Sequence, residues 1–278
     1  MSWVPSSGRA SPPEGPGLLG VSLKTYLGFQ QTRSWLTGVS ELAPLLDETG
    51  LFVLPAFPCL PDAQRLLAGT GIAFGAQDGW PESAPCTGEV SMSMLAELGC
   101  RYVAVGHAER RRLFAEDDAF VARKAGAAVQ HGLIPVVCVG EDHACGVAQA
   151  VDAVLRQLSA SLRGVPDGPL VIAYEPVWAI GAPTPATPEH VLPVAAAIRG
   201  ALAARGAASR VIYGGSAGPG TLTALHASGD PPSGQPGPID GLFLGRHAHD
   251  LGNLRGVLTE MRRLRGPSPA TPPVEATG

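Results

Sequence analysis

Eight short apolar runs recur along the chain, each followed by a stretch of helical character, and this alternation limits the fold more than any other feature. The runs are Leu19–Leu23, Leu51–Leu54, Ile72–Gly75, Tyr102–Gly106, Ile134–Val139, Leu170–Tyr174, Val211–Gly214 and Gly241–Leu244. Several are β-branched, as strands buried in a parallel sheet should be. Helices are predicted near Arg33–Leu46, Ala63–Leu67, Ser91–Leu98, Asp117–Gln130, Ala144–Leu162, Pro188–Arg205, Thr221–His226 and Asn253–Arg265. Thr187-Pro188-Glu189 reads as a helix start, with Thr as cap and Pro at the first position. Eight β–α units in about 250 residues suit a (β/α)8 barrel, with a doubly wound sheet as the competing reading. In a barrel, chemistry belongs where strands run into the loops that follow them. That singles out Lys24, His107, Glu175, Gly214-Gly215-Ser216 and Gly245.

Composition narrows the setting. With 45% hydrophobic and 16% charged residues, the chain has ample apolar surface to bury. We expect one domain over residues 18–265, between disordered tails at 1–17 and 266–278. A net charge of −4 gives no basic footprint for nucleic acid, so an anionic substrate needs a local site. The five cysteines are scattered and contain no C-x-x-C, which fits a reducing cytoplasm better than a disulfide or zinc framework. No run reaches about 18 apolar residues, so no membrane span is expected, and the N-terminus does not read as a secretory signal.

Two tempting motifs fail on context. Gly15-Pro16-Gly17-Leu18-Leu19-Gly20 matches G-x-G-x-x-G, but it precedes a strand where a dinucleotide loop would follow one. His247-Ala248-His249-Asp250 lacks further ligands at metal spacing and reads as a surface turn. Three others carry chemistry. In Val103 to Arg111, a strand ends in Gly106-His107 and a charged run begins. The His is either a surface residue beside solvated charge or a neutral imidazole offering a hydrogen bond to a carbonyl. In Val171 to Gly181, Glu175 closes an apolar strand and opens a loop of Pro, Val, Trp and Ile. Such a carboxylate is partly desolvated and suited to general-base work. An apolar loop of this kind needs a closed state to hide in. Tyr213-Gly214-Gly215-Ser216 and Leu244-Gly245 follow strands seven and eight, the usual phosphate end of a barrel.

Over roughly residues 19–264 these pieces, in order, resemble the triosephosphate isomerase family. The match includes Lys24, Ala76-Gln77, Cys86-Thr87-Gly88-Glu89-Val90-Ser91, Gly106-His107-x-Glu109-Arg110-Arg111, Cys138-Val139-Gly140-Glu141, Ala173 to Gly181, Tyr213-Gly214-Gly215-Ser216 and Asp240-Gly241. The resemblance implies a single-domain TIM barrel that shuttles a proton between adjacent carbons of a phosphorylated sugar. Glu175 would be the base and His107 the electrophile, the family's known pairing of a Glu base with a neutral His. Lys24 would hold the oxyanion and phosphate. Gly181, Ser216 and Gly245 would donate to phosphate oxygens, and Pro176 to about Pro185 would form a lid. No metal or organic cofactor is implied. The Cys86–Ser91 loop would insert into a second copy, with Thr87 reaching its site, so a homodimer is expected.

Departures from the family pattern concentrate at the substrate. Ser22 stands where the family usually has Asn, and Ala108 where Ser is common. Thr25-Tyr26 replaces Met-Asn after Lys24, and Pro183 and Pro185 stiffen the far lid hinge. Arg246 stands where the last phosphate loop has a second Gly, and could bind phosphate through its fork. A Pro/Gly-rich insert, Ser228–Pro238, leads to that loop. A triose-phosphate isomerase is the first functional reading. Isomerisation of a four-carbon ketose phosphate is the alternative, and a non-catalytic barrel the third.

Overall fold

A computed structural model describes residues 17–46, 49–82, 84–205, 209–228 and 237–265. Most of the two expected tails and most of the 228–238 insert lie outside the described residues. The strands are β1 Leu18–Ser22, β2 Gly50–Leu54, β3 Ala73–Ala76, β4 Tyr102–Val105, β5 Ile134–Val139, β6 Leu170–Tyr174, β7 Ser209–Tyr213 and β8 Gly241–Leu244. Each pairs in parallel with the next, and β8 pairs with β1, closing an eight-stranded barrel. The doubly wound alternative is thereby excluded.

The helices are α1 Phe29–Ser40, α2 Leu60–Leu66, α3 Met92–Glu97, α4 Ala108–Phe114, α5 Asp118–Gln130, α6 Val147–Ser161, α7 Pro188–Leu202, α8 Thr221–Ser228 and α9 Leu251–Arg265. Three differ from the sequence reading. The first helix ends at Ser40, not Leu46. Pro44 lacks the N–H that an α-helix needs there, and Ala43–Leu45 forms a 3-10 turn instead. The run after His107 is helix α4, not a solvated charge cluster. Thr187 does sit at the start of α7, but its side chain makes no capping hydrogen bond.

Period-two alternation splits the core. One set fills the barrel interior, including Phe52, Tyr102, Ala104, Cys138, Val171, Ala173 and Ile212. Phe52 stacks on Tyr102 at 4.2 Å between centroids. The alternate residues, such as Val103, Val105, Ile172 and Tyr174, pack outward against the helices. Continuing the inward set by one step gives Ser22 after Gly20, Glu175 after Ala173 and Gly214 after Ile212. The same alternation that builds the core therefore aims the next residues at the barrel mouth.

Candidate active site

The carboxyl ends of the strands surround a cavity of about 700 Å³, lined by Ser22, Lys24, His107, Glu175, Gly181, Gly214, Ser216, Gly245 and Arg246, but not by Gly215. Glu175 leaves β6 with its backbone N–H bonded to Val139 O at 2.8 Å, and the residue is buried. Its Oε2 is shut off from solvent and has no hydrogen-bond partner among the described residues. Gly214 makes room for this side chain, because a Cβ there would lie 2.7 Å from Glu175 Cγ and Oε1. Burial, then the charge of Glu175 beside it, push the Cys138 thiol well above its ordinary range. Cys138 therefore stays a neutral S–H against the carboxylate.

His107 is the cap of α4. Its Nδ1 accepts the Glu109 backbone N–H at 3.1 Å. An accepting Nδ1 carries no proton, so the ring's N–H sits on Nε2. Nε2 lies 3.7 Å from Glu175 Oε2, too far for a hydrogen bond. The Nε2–H and the Glu175 carboxylate thus face one space without bonding to each other.

Lys24 occupies a left-handed backbone conformation, φ +47°, rare for a residue with a Cβ. Gln77 holds it there, donating to Lys24 O at 2.9 Å and to Leu54 O at 3.0 Å. Lys24 Nζ is 2.8 Å from Glu109 Oε1. Burial opposes ionisation of Glu109, yet the hydrogen bond and charge of Lys24 hold its carboxyl below the usual range. The ammonium is thus fixed at the cavity edge.

The segment expected to form a lid lies at the mouth, where Val177, Ile180 and Gly181 line the cavity. Val177–Ala179 forms a 3-10 turn, and Gly181 has φ +74°, a conformation that favours glycine. Ser216 Oγ donates to Ala179 O at 2.8 Å, so its hydroxyl proton is committed to the lid. Arg246 Nη2 donates to Gly181 O at 3.2 Å. Tyr213 OH accepts from Ala186 N at 2.9 Å and donates to Gly215 O at 2.7 Å, tying the far hinge to the glycine loop. Trp178 Nε1 donates to the buried Glu141 Oε1 at 2.9 Å.

A match to the family model described as triosephosphate isomerase covers residues 17–260. The chain belongs to the triosephosphate isomerase family. An L-erythrulose-1-phosphate isomerase of Pectobacterium atrosepticum is 45% identical over 254 residues, which is 87% of this chain and 94% of that protein. The triosephosphate isomerase of Thermus thermophilus is 47% identical over 199 residues, 68% of this chain and 79% of that protein. That of Chloroflexus aurantiacus is 42% identical over 223 residues, 77% and 84% of the two chains. Both activities therefore occur among relatives of similar identity.

The site residues expected from the sequence lie around one cavity, but sequence reading missed how Glu141, Gln77 and His190 pack around them. Glu141 and Gln77 lay in matched motifs, which was the available signal. His190, within α7, carried none. At His247 to Asp250, Arg246–His249 is a 3-10 turn, and Asp250 Oδ1 accepts the N–H groups of Gly252 and Asn253 at the start of α9.

Proposed function

We propose that this isomerase moves a proton between adjacent carbons of a short ketose phosphate, and that its preferred substrate has four carbons. The observation that supports the chemistry is the unpartnered Glu175 Oε2, buried 3.7 Å from His107 Nε2. Glu175 takes the proton next to the carbonyl, breaking one C–H bond. His107 Nε2–H bonds the oxygen that gains charge, and Lys24 lowers the energy of the same enediolate. Protonated Glu175 then returns the proton to the former carbonyl carbon, while the hydroxyl proton passes by way of His107 Nε2 from the oxygen that becomes the new carbonyl to the one that becomes the new hydroxyl. The carbonyl has moved by one carbon, and nothing is oxidised or reduced overall. Lys24, the backbone N–H of Ser216 and the loop at Gly245 and Arg246 hold the phosphate, while the lid excludes water.

The four-carbon substrate rests on Ser22, which lines the cavity beside Lys24. An erythrulose phosphate carries an extra hydroxymethyl group on the reacting carbon remote from the phosphate. A Ser, shorter than the usual Asn, leaves space there. The long alignment with the Pectobacterium protein supports the same reading. Triose phosphate is the second reading, favoured by the family's own base, His and lid motifs and by the names of the other relatives. Coupled assays of the purified protein on both substrates are expected to give the higher kcat/KM for the four-carbon one; a higher value for triose phosphate establishes the second reading. Ser22→Asn with Arg246→Gly is expected to shift the kcat/KM ratio toward triose phosphate by about 1–3 kcal/mol. An unchanged ratio with both rates reduced contradicts a selecting role for these residues.

The chain also reads as a homodimer. Residues 84–89, including Thr87, are exposed on a loop closed at its base by Trp80 N to Val90 O at 2.7 Å and Met92 N to Trp80 O at 3.2 Å. A loop so presented suits insertion into a second copy. Sedimentation is expected to give a dimer in the micromolar range. A fully active monomer at nanomolar concentration contradicts it.

A further inference from the structure

We propose that His190 is a positioning residue for the lid, holding Glu141 where Trp178 docks. The inference rests on the isomerase reading above, in which the lid covers bound substrate. Glu141 is buried at 4% exposure, and no Lys or Arg forms an ion pair with it among the described residues. Its Oε1 takes the Trp178 indole N–H at 2.9 Å and His190 Nε2 at 2.7 Å. Tyr174 OH reaches both oxygens at 3.2–3.3 Å. The Trp178 and His190 rings meet edge-on, 5.4 Å between centroids.

These contacts divide the labour. Tyr174 belongs to β6 and His190 to α7, so both sit on fixed elements on either side of the lid. Trp178 is on the lid itself and arrives only when it is down. A carboxylate buried with one donor missing is poorly compensated and turns toward whatever donor or water it can find. With His190 present, the oxygen that Trp178 must meet is already aimed. His190 touches neither the reacting carbons nor the phosphate site; it acts through Glu141 and Trp178.

The docked lid serves bound substrate and transition state alike, so loss of this support weakens binding more than chemistry. For His190→Phe, which keeps a ring against Trp178 but removes the donor, KM is expected to rise about tenfold or more, with kcat changed less than about threefold. Inhibition by glycerol 3-phosphate, which has no carbonyl to isomerise, should weaken by the same factor. Trp178 emission should become more open to acrylamide quenching. His190→Gln, whose amide can again donate to Glu141, should restore all three. Thermal unfolding is recorded for each variant, and if His190→Phe does not fold, His190→Ala takes its place. A folded donor-less variant with wild-type KM, inhibition and quenching overturns the proposal, and so does a deficit that His190→Gln leaves unrepaired. If the wild-type protein turns over neither sugar phosphate, the isomerase reading fails. Glycerol 3-phosphate binding and Trp178 quenching still decide the role of His190.

Discussion

Glu175→Gln is expected to lower kcat by about a hundredfold to ten-thousandfold on either substrate, with KM changed far less. Gln keeps the shape of Glu, so the space opened by Gly214 and the contact with Cys138 remain filled. What is lost is the one capacity the site is built around: an amide oxygen does not take a proton from carbon. Glu175→Asp keeps the carboxylate but withdraws it by one methylene from the position facing His107 Nε2. A displacement on that scale penalises proton transfer more than binding, so kcat again falls more than KM rises. Coupled kinetics on folded, purified variants check both. A Glu175→Gln protein retaining a tenth of the wild-type rate contradicts the assignment.

The second large effect concerns stability. Lys124, 1% exposed, lies 2.7 and 2.8 Å from the two oxygens of Asp78 and 2.7 Å from Glu116 Oε1, with the Phe120 ring 4.8 Å from its Nζ. Arg110 Nε joins the same carboxylates at 2.7 Å each. Burial pushes the Asp78 carboxyl up from its ordinary value despite the pull of Lys124 and then Arg110. Desolvation is therefore not fully offset by pairing, and removing a cation leaves that cost exposed. Lys124→Met, similar in length but uncharged, is expected to destabilise the protein by about 3–5 kcal/mol. Typical domains have only about 5–15 kcal/mol in total, so a large drop in the urea midpoint should follow at fixed protein concentration. A loss below about 1 kcal/mol would mean that Arg110 alone compensates both carboxylates. The effect reaches the site, because the cluster fixes α4, whose cap is His107.

How much of this was legible in the sequence differs by element. Ile134–Val139, Leu170–Tyr174 and Gly241–Leu244 coincide with their strands because every residue in them is buried, so the apolar run and the strand end together. β7 begins at Ser209, two residues early, because Ser209 and Arg210 are only half-buried and give no apolar signal. Helix α4 was illegible as a helix: Ala108-Glu109-Arg110-Arg111-Arg112 has no apolar periodicity. Two of its arginines find partners distant in sequence, Arg111 at Ser161 Oγ, 3.1 Å, and Arg110 at Asp78 Oδ2, 2.7 Å, while Arg112 stays exposed. That Glu175 and His107 face one cavity was legible because each lies just past the end of a strand. The lid's supports were not, since Glu141 and His190 meet across 49 positions with only geometry to connect them.

The most direct test of proton transfer by Glu175 is to incubate the purified protein with L-erythrulose 1-phosphate, and separately with dihydroxyacetone phosphate, in D2O and follow the carbon-bound hydrogens by NMR. A carboxylate base exchanges its proton with solvent between removal and return. The account predicts isomerised product carrying solvent deuterium on the former carbonyl carbon, formed faster from the four-carbon substrate, and no such product from Glu175→Gln at matched times. Product formed without any solvent deuterium, or equal labelling by Glu175→Gln, would contradict it.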